Sequence, residues 1–257
     1  MEKIKVNYLF DSAVAQVILD DGKGNVLDQI MMHDLITAFE EFKTRSSLKL
    51  ITFEGAGKHF SFGASVEEHQ KENAAAMLKG FHRLFFSLMD MAIPTLAKIS
   101  GQCLGGGMEL AIMCNFLYAD KGVKLGQPEV ILGVFPPPAS IILSEKIGLA
   151  RADELINTGK VINAEHAKSI GLVNEVFNDK QELDAAVINF IELHILPKSA
   201  CSLRFAVNAS RFKFNHILST YLPQLEQVYV HELMNTIDAN EGITSFLEKR
   251  RPVWQNR

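Results

Sequence analysis

The segment from Thr95 to Ala119 leaves little choice of architecture. Thr95 to Ile99 has the pattern of a short apolar strand, and Gly101 followed by Gly105-Gly106-Gly107 interrupts it. Met108 to Cys114 then reads as an apolar helix, and Phe116 to Ala119 resumes as a strand. Strands joined through a helix pair in parallel, and the crossover helix covers a face of the sheet. The same order runs upstream. Val14 to Leu19 is a strand, Leu27 to Phe42 carries apolar residues at helical spacing, and Leu50 to Phe53 is a second strand ending at Gly55-Ala56-Gly57. A helical pattern from about Val66 to Met91 is stopped by Pro94.

Beyond about residue 139 the chain turns mainly helical. Glu165 to Ser169 ends at Gly171, Leu172 to Phe177 is a short return strand, and amphipathic patterns fill Leu183 to His194, Ala200 to Phe212 and Leu222 to Met234. No composition break marks a linker. The expected fold is α/β: a core over residues 1–195 and a helical C-terminal region over 196–257, whose apolar stripe has a neighbouring subunit as its natural cover.

Composition narrows the function. The 257 residues are 47% hydrophobic and 22% charged, ordinary for a globular chain with a sizeable core. A formal net charge of -4 gives no basic face for nucleic acid. Cys103, Cys114 and Cys201 are odd in number and lack metal-ligand spacing, and the eight histidines are dispersed, so no metal site is expected. Met1 to Val6 is charged, unlike a signal peptide, and no apolar run reaches the roughly 20 residues of a membrane span. The expectation is a cytoplasmic protein without membrane or nucleic-acid partners.

Two segments share the order strand, glycine loop, helix: Leu50 through Ala64, ending Phe60-Ser-Phe-Gly-Ala64, and Ala97 through Glu109. Ligands in α/β sheets bind where loops leave the C-terminal ends of strands, and helix N-termini offer free N–H groups to negative charge. Two such loops side by side can aim two backbone donors at one oxygen, which stabilises an enolate. A glycine triplet also serves as a plain tight turn. Nucleotide binding has less support, because the lysine and Ser/Thr of a P-loop are missing, as is G-x-G-x-x-G.

Glu109 stands in the first turn of the apolar helix, where burying a carboxylate is costly unless it is paired or neutralised. It could simply complement the helix dipole, but no Ser, Thr, Asp or Asn stands three residues earlier to form a capping box. Glu129 follows Gln127-Pro128 and precedes Val130-Ile131-Leu132; alone, it reads equally well as a solvent-facing residue after a turn. Taken with the loops, the pair gains meaning. Two carboxyl groups in different protonation states can activate water and deliver a proton, while backbone donors polarise a carbonyl.

At this point the chain resembles the enoyl-CoA hydratase/isomerase family, the crotonases. The resemblance rests on Ile93 to Ala111 and Leu125 to Gly133, with Gly57 to Ala64, Ala164 to Val173 and Gly242 to Arg250 in support. It implies a crotonase-like spiral of ββα units with a helical C-terminal trimerisation region, assembled as a homotrimer or dimer of trimers. It also implies an oxyanion hole from the backbone N–H groups of Phe62 and Gly106, catalysis by Glu109 and Glu129, an acyl-CoA substrate, and no metal or redox cofactor. Gly63, Ala64, Gly105, Phe135 and Pro136 are then substrate-binding. Phe246 and Lys249 of the C-terminal segment are expected to reach coenzyme A, the latter as part of Lys249-Arg250-Arg251. His69, beside Glu67 and Glu68, could approach the site, or belong to a solvated helix face.

Two features depart from the family's common pattern: Ser65 where an aspartate is frequent, and Val134-Phe-Pro-Pro-Pro-Ala-Ser140 where glycines are frequent. With Phe60 to His69 they most resemble the branch that hydrates cyclohexa-1,5-diene-1-carbonyl-CoA to 6-hydroxycyclohex-1-ene-1-carbonyl-CoA in anaerobic benzoyl-CoA degradation. The alternatives are hydration of an ordinary enoyl-CoA or cyclohex-1-ene-carbonyl-CoA, or a non-catalytic acyl-CoA- or RNA-binding member of the fold.

Overall fold

The computed structural model describes residues 1–257. The chain opens with a hairpin, β1 (Ile4–Leu9) and β2 (Val14–Leu19), that the sequence patterns above had not included at its first strand. β1 alternates buried and exposed positions, as an edge strand does, so its charged residues mask its apolar ones. Helix α1 (Gln29–Thr44) starts at Asp28, whose carboxylate accepts from Met31 N–H at 3.0 Å. β3 (Leu50–Gly55) follows, buried at every position, as a central parallel strand covered on both faces must be.

The helix expected from Val66 is interrupted. Glu67–His69 forms a single 3-10 turn, Gln70 turns extended (ψ 145°), and α2 (Lys71–Met91) begins after it. Three i to i+3 bonds close that turn on Ser65, Val66 and Glu67, which holds it against the preceding loop rather than in line with α2. Then come β4 (Thr95–Ile99), β5 (Gln102–Leu104), α3 (Gly106–Met113), β6 (Phe116–Asp120) and β7 (Lys124–Gly126). All eight residues of α3 are buried; it is a helix apolar all round, enclosed by protein.

The remaining elements are α4 (Pro137–Ile147), α5 (Leu149–Thr158), β8 (Val161–Asn163), α6 (Ala164–Ser169), β9 (Glu175–Phe177), α7 (Lys180–Phe190), α8 (Ala200–Ser210), α9 (Phe212–His231) and α10 (Ile237–Leu247). α8 ends two residues before the expected boundary because Arg211 leaves the helix and sends its guanidinium to the Met113 carbonyl at 2.6 Å. α9 starts ten residues before its expected start and runs through Pro223. Its stripe of Leu218, Leu222 and Tyr229 is buried against α2 and α4, which offsets the backbone bond the proline removes.

Two sheets result. The larger has the order β1-β2-β3-β4-β6-β9, parallel except for the opening hairpin; the smaller has the order β5-β7-β8. One face of the large sheet carries a small apolar layer in which Val14, Leu50 and Leu96 meet Leu183, Val187 and Ile191. The other joins a core of 55 buried residues that extends through Leu218, Tyr229 and Ile243, so α9 and α10 close over the same interior as the strands.

Candidate active site

The first glycine loop is tied down at nearly every N–H. Phe60 donates to Ser100 O (2.9 Å), Ser61 to Gln102 O (3.0 Å), Gly63 to Ser61 Oγ (3.0 Å) and Ser65 to Leu27 O (3.3 Å). Asn25, at φ 54°, sends its amide to the carbonyls of Ala56, His59 and Phe60, while Ser61 Oγ donates to Asn25 O at 2.6 Å. Phe62 N–H is also engaged, donating to Gly24 O at 2.9 Å. This corrects the expectation that Phe62 supplies an oxyanion donor: its N–H is already bonded, and its exposed ring packs over Gly24 and His59 instead. Within residues 60–65, the N–H without an acceptor belongs to Ala64.

The second loop meets the first at that donor. Gly105 N–H donates to Gly126 O at 2.9 Å, whereas Gly106 N–H opens α3 and has no acceptor. A methyl built on Gly106 would lie 3.0 Å from Ala64 N, and one on Gly63 would lie 3.4 Å from Gly106 N. Gly63 (φ 108°) and Gly105 (φ 49°) hold left-handed backbone that brings the loops this close. Two unpartnered N–H groups therefore stand side by side, one of them at a helix N-terminus. That is a site for a developing oxyanion.

Both glutamates face the same space. Glu109 is buried, and its Oε1 accepts from Ala139 N–H at 2.8 Å. Pro137 and Pro138 have no N–H, so Ala139 provides the first donor of α4 and directs it at this carboxyl. Glu129 stands in the 3-10 turn Pro128–Leu132, with its Oε1 so near Gly105 that a methyl there would lie 2.8 Å away. With the amide nitrogen of buried Gln127 turned toward it, Gln127 donates to both Glu129 oxygens at 3.0 Å.

Burial raises Glu109 well above the usual carboxylate range; the charge of Glu129 adds to the rise and Ala139 N–H opposes it. Burial also pushes Glu129 up, to about 8. Two carboxyls in one largely apolar site resist carrying two charges, so the pair retains a proton near neutrality. One member can then accept a proton while the other donates one.

These groups open on a cavity of about 560 Å³. Phe62, Gly63, Ala64, Gly105 and Gly106 line its loop side, Glu109 and Glu129 its floor, and Phe135 and Pro136 its wall. Phe246 lines it from α10, but Lys249 does not: it follows α10 on the exposed surface. His69 does line it. Its Nδ1 lies 2.7 Å from the Ser65 carbonyl, which can only accept, and burial lowers its pKa, so the ring is a neutral Nδ1–H tautomer. No group of three or more His, Cys, Asp or Glu side chains is placed to hold a metal ion, and no helix is long and apolar enough to cross a membrane.

The family profile described as enoyl-CoA hydratase/isomerase matches residues 10–257. The chain belongs to the enoyl-CoA hydratase/isomerase family. It is 39% identical over 247 residues to cyclohexa-1,5-dienecarbonyl-CoA hydratase of Thauera aromatica, covering 96% of this chain and 95% of that protein. It is 29% identical to 2,3-dehydroadipyl-CoA hydratase of Escherichia coli, covering 91% of each. Among solved structures of the family, an enoyl-CoA hydratase from Mycobacterium avium subsp. paratuberculosis superimposes with a TM-score of 0.86 at 22% identity over 99% of both chains, which establishes the crotonase fold. An enoyl-CoA hydratase from Bacillus anthracis gives 0.78 at 27% identity, over 99% of this chain and all of that one.

Proposed function

We propose that the protein is an acyl-CoA hydratase acting on cyclohexa-1,5-diene-1-carbonyl-CoA, the class of substrate in the name of its Thauera relative. The observation that carries the hydratase reading is the proton-sharing pair of buried Glu109 and half-buried Glu129, set in one cavity with the free N–H groups of Ala64 and Gly106. The thioester oxygen sits between the two N–H groups. Water held by the carboxyls gives a proton to one of them as its oxygen bonds to the β-carbon. The diene electrons shift onto the thioester oxygen, and the backbone donors stabilise the resulting dienolate. The protonated carboxyl then delivers a proton to the far end of the diene. Electrons return, the remaining double bond moves next to the carbonyl-bearing carbon, and 6-hydroxycyclohex-1-ene-1-carbonyl-CoA results, as anaerobic benzoyl-CoA degradation requires. No step calls for a metal or redox cofactor.

A ring suits the wall presented to it. Phe81, Phe135 and Pro136 line the cavity, and the proline-led start of α4 keeps its shape without flexible loops. Coenzyme A would leave past Phe62 and Phe246, and Lys249 would meet it only from a neighbouring subunit. Phe205 and Phe212, 71% and 79% exposed, support α8 and the start of α9 as the contact face if the protein assembles as a homotrimer or a dimer of trimers.

The deciding experiment is a substrate panel, with the cyclic dienoyl-CoA beside crotonyl-CoA and cyclohex-1-ene-carbonyl-CoA, reading absorbance and product mass. The Escherichia coli relative is named for a linear acyl chain, so a linear enoyl-CoA is the competitor to separate. Faster turnover of crotonyl-CoA than of the diene would remove the ring from this reading while leaving hydration in place.

A further inference from the structure

One polar atom at the centre of the site has no partner. Tyr229, on α9, is 1% exposed and lines the cavity that holds both glutamates. Its ring packs edge-on against Phe135 at 5.3 Å, which fixes where the phenol points, yet its hydroxyl makes no hydrogen bond. Burial raises its pKa, and the charges of Glu129 and Glu109 add to the rise, so it is a neutral O–H near both carboxyls. A buried hydroxyl without a partner costs about 1–3 kcal/mol. A phenylalanine would fill the same space without that cost. Glu109 Oε1 already accepts from Ala139, both Glu129 oxygens accept from Gln127, and the thioester oxygen has Ala64 and Gly106; Glu109 Oε2 has no protein donor, and the Tyr229 hydroxyl makes no bond to it. Among the oxygens of the substrates, the one without a protein donor is the one that enters as water and leaves as the product hydroxyl.

We infer that the Tyr229 hydroxyl donates a hydrogen bond to the oxygen that hydration adds, holding the attacking water and then the new hydroxyl group. The inference rests on the hydratase reading and adds a third polar group to it. Within the protein the phenol has no hydrogen-bond partner. With water or product bound, it restrains that oxygen against the β-carbon while the carboxyls exchange protons. The hydroxyl makes no proton transfer of its own.

The test is Tyr229→Phe, which removes one oxygen atom and keeps the ring against Phe135. Isothermal titration with 3-hydroxybutyryl-CoA and with butyryl-CoA compares a ligand that carries the added hydroxyl with one that lacks it. The hydroxy ligand is first brought to its hydration equilibrium, so both titrations start from the same mixture of hydrated and dehydrated ligand. The variant should bind the hydroxy ligand about ten-fold more weakly, the worth of one buried hydrogen bond, and butyryl-CoA unchanged. Its kcat should fall by a similar factor with little change in KM. Its melting temperature without ligand should stay level or rise, since nothing in the protein loses a partner. Equal affinity changes for both ligands, or none, would overturn the inference, as would a drop of several degrees in melting temperature. A wild-type protein that hydrates no enoyl-CoA refutes the hydratase reading instead, and the binding ratio and melting curve still decide the role of Tyr229.

Discussion

Glu129→Gln separates what the site costs from what it does. The carboxyl titrates at about 8 in the folded protein against 4.5 for an ordinary glutamate. A raised carboxyl pKa means that the folded state keeps a proton the unfolded chain has already lost. Stability therefore falls as pH rises through this window, from about 4.5 to about 8, and the full penalty is present above it. The window spans about 3.5 pH units, 8 minus 4.5, and at about 1.36 kcal/mol each the upper limit is about 5 kcal/mol. The amide of Gln127 supports the charged form and opposes part of this, as does water entering the open cavity. A gain of about 2–3 kcal/mol is expected for the uncharged variant at pH 9, or about 5–10 °C in melting temperature for a chain of this size. At pH 5 the gain should nearly vanish. Thermal melts of both proteins at pH 5 and 9 read this directly, alongside a fall in kcat of at least about 100-fold from losing a proton-transfer group. An offset in melting temperature that is the same at both pH values, or a variant less stable at pH 9, would refute the reasoning.

Three further outcomes follow from the geometry. Gly106→Ala puts a methyl 3.0 Å from Ala64 N and 3.2 Å from the Phe81 ring, crowding the donor pair; kcat should drop about 100-fold or more, with KM and the circular dichroism spectrum nearly unchanged. The pH profile of kcat/KM should be bell-shaped, falling on the acid side as the carboxyl pair takes a second proton and on the alkaline side as it loses its last. Ser61→Ala leaves Gly63 N–H without its acceptor and frees Asn25 O, so denaturant titration should show about 1–3 kcal/mol of lost stability, with activity reduced through the loosened Ala64 donor.

The parts of the site that were legible in the sequence are those built locally. Gly105-Gly106-Gly107 before an apolar helix signals backbone exposed at a helix start, and Glu109 one turn in cannot be a routine surface residue when Leu110 to Met113 are all buried. The choice between Phe62 and Ala64 as donor was not legible, because it turns on the bond Phe62 N–H donates to the Gly24 carbonyl of a distant segment. Asn25 and Gln127 were missed for the same reason: each acts through partners that only the folded chain assembles, although Gln127 stands two residues before Glu129. Tyr229 lay inside the amphipathic pattern from Leu222 to Met234, which carried no signal of a site; in the fold it is also core. The helix boundaries around Gln70 and Arg211 followed side-chain and turn contacts rather than apolar period, and Pro223 lies in a helix that tertiary burial sustains.

The start of α4 carries a consequence for how such an enzyme can change its preferences. Pro136 and Pro137 form part of the wall the acyl group meets, and the next free N–H, from Ala139, is bound to Glu109. Reshaping the wall there moves the donor that favours the charged form of that glutamate, so a variant selected for a larger or smaller acyl group will also inherit a displaced pH optimum. In this stretch of chain, ligand taste and proton affinity are inherited together.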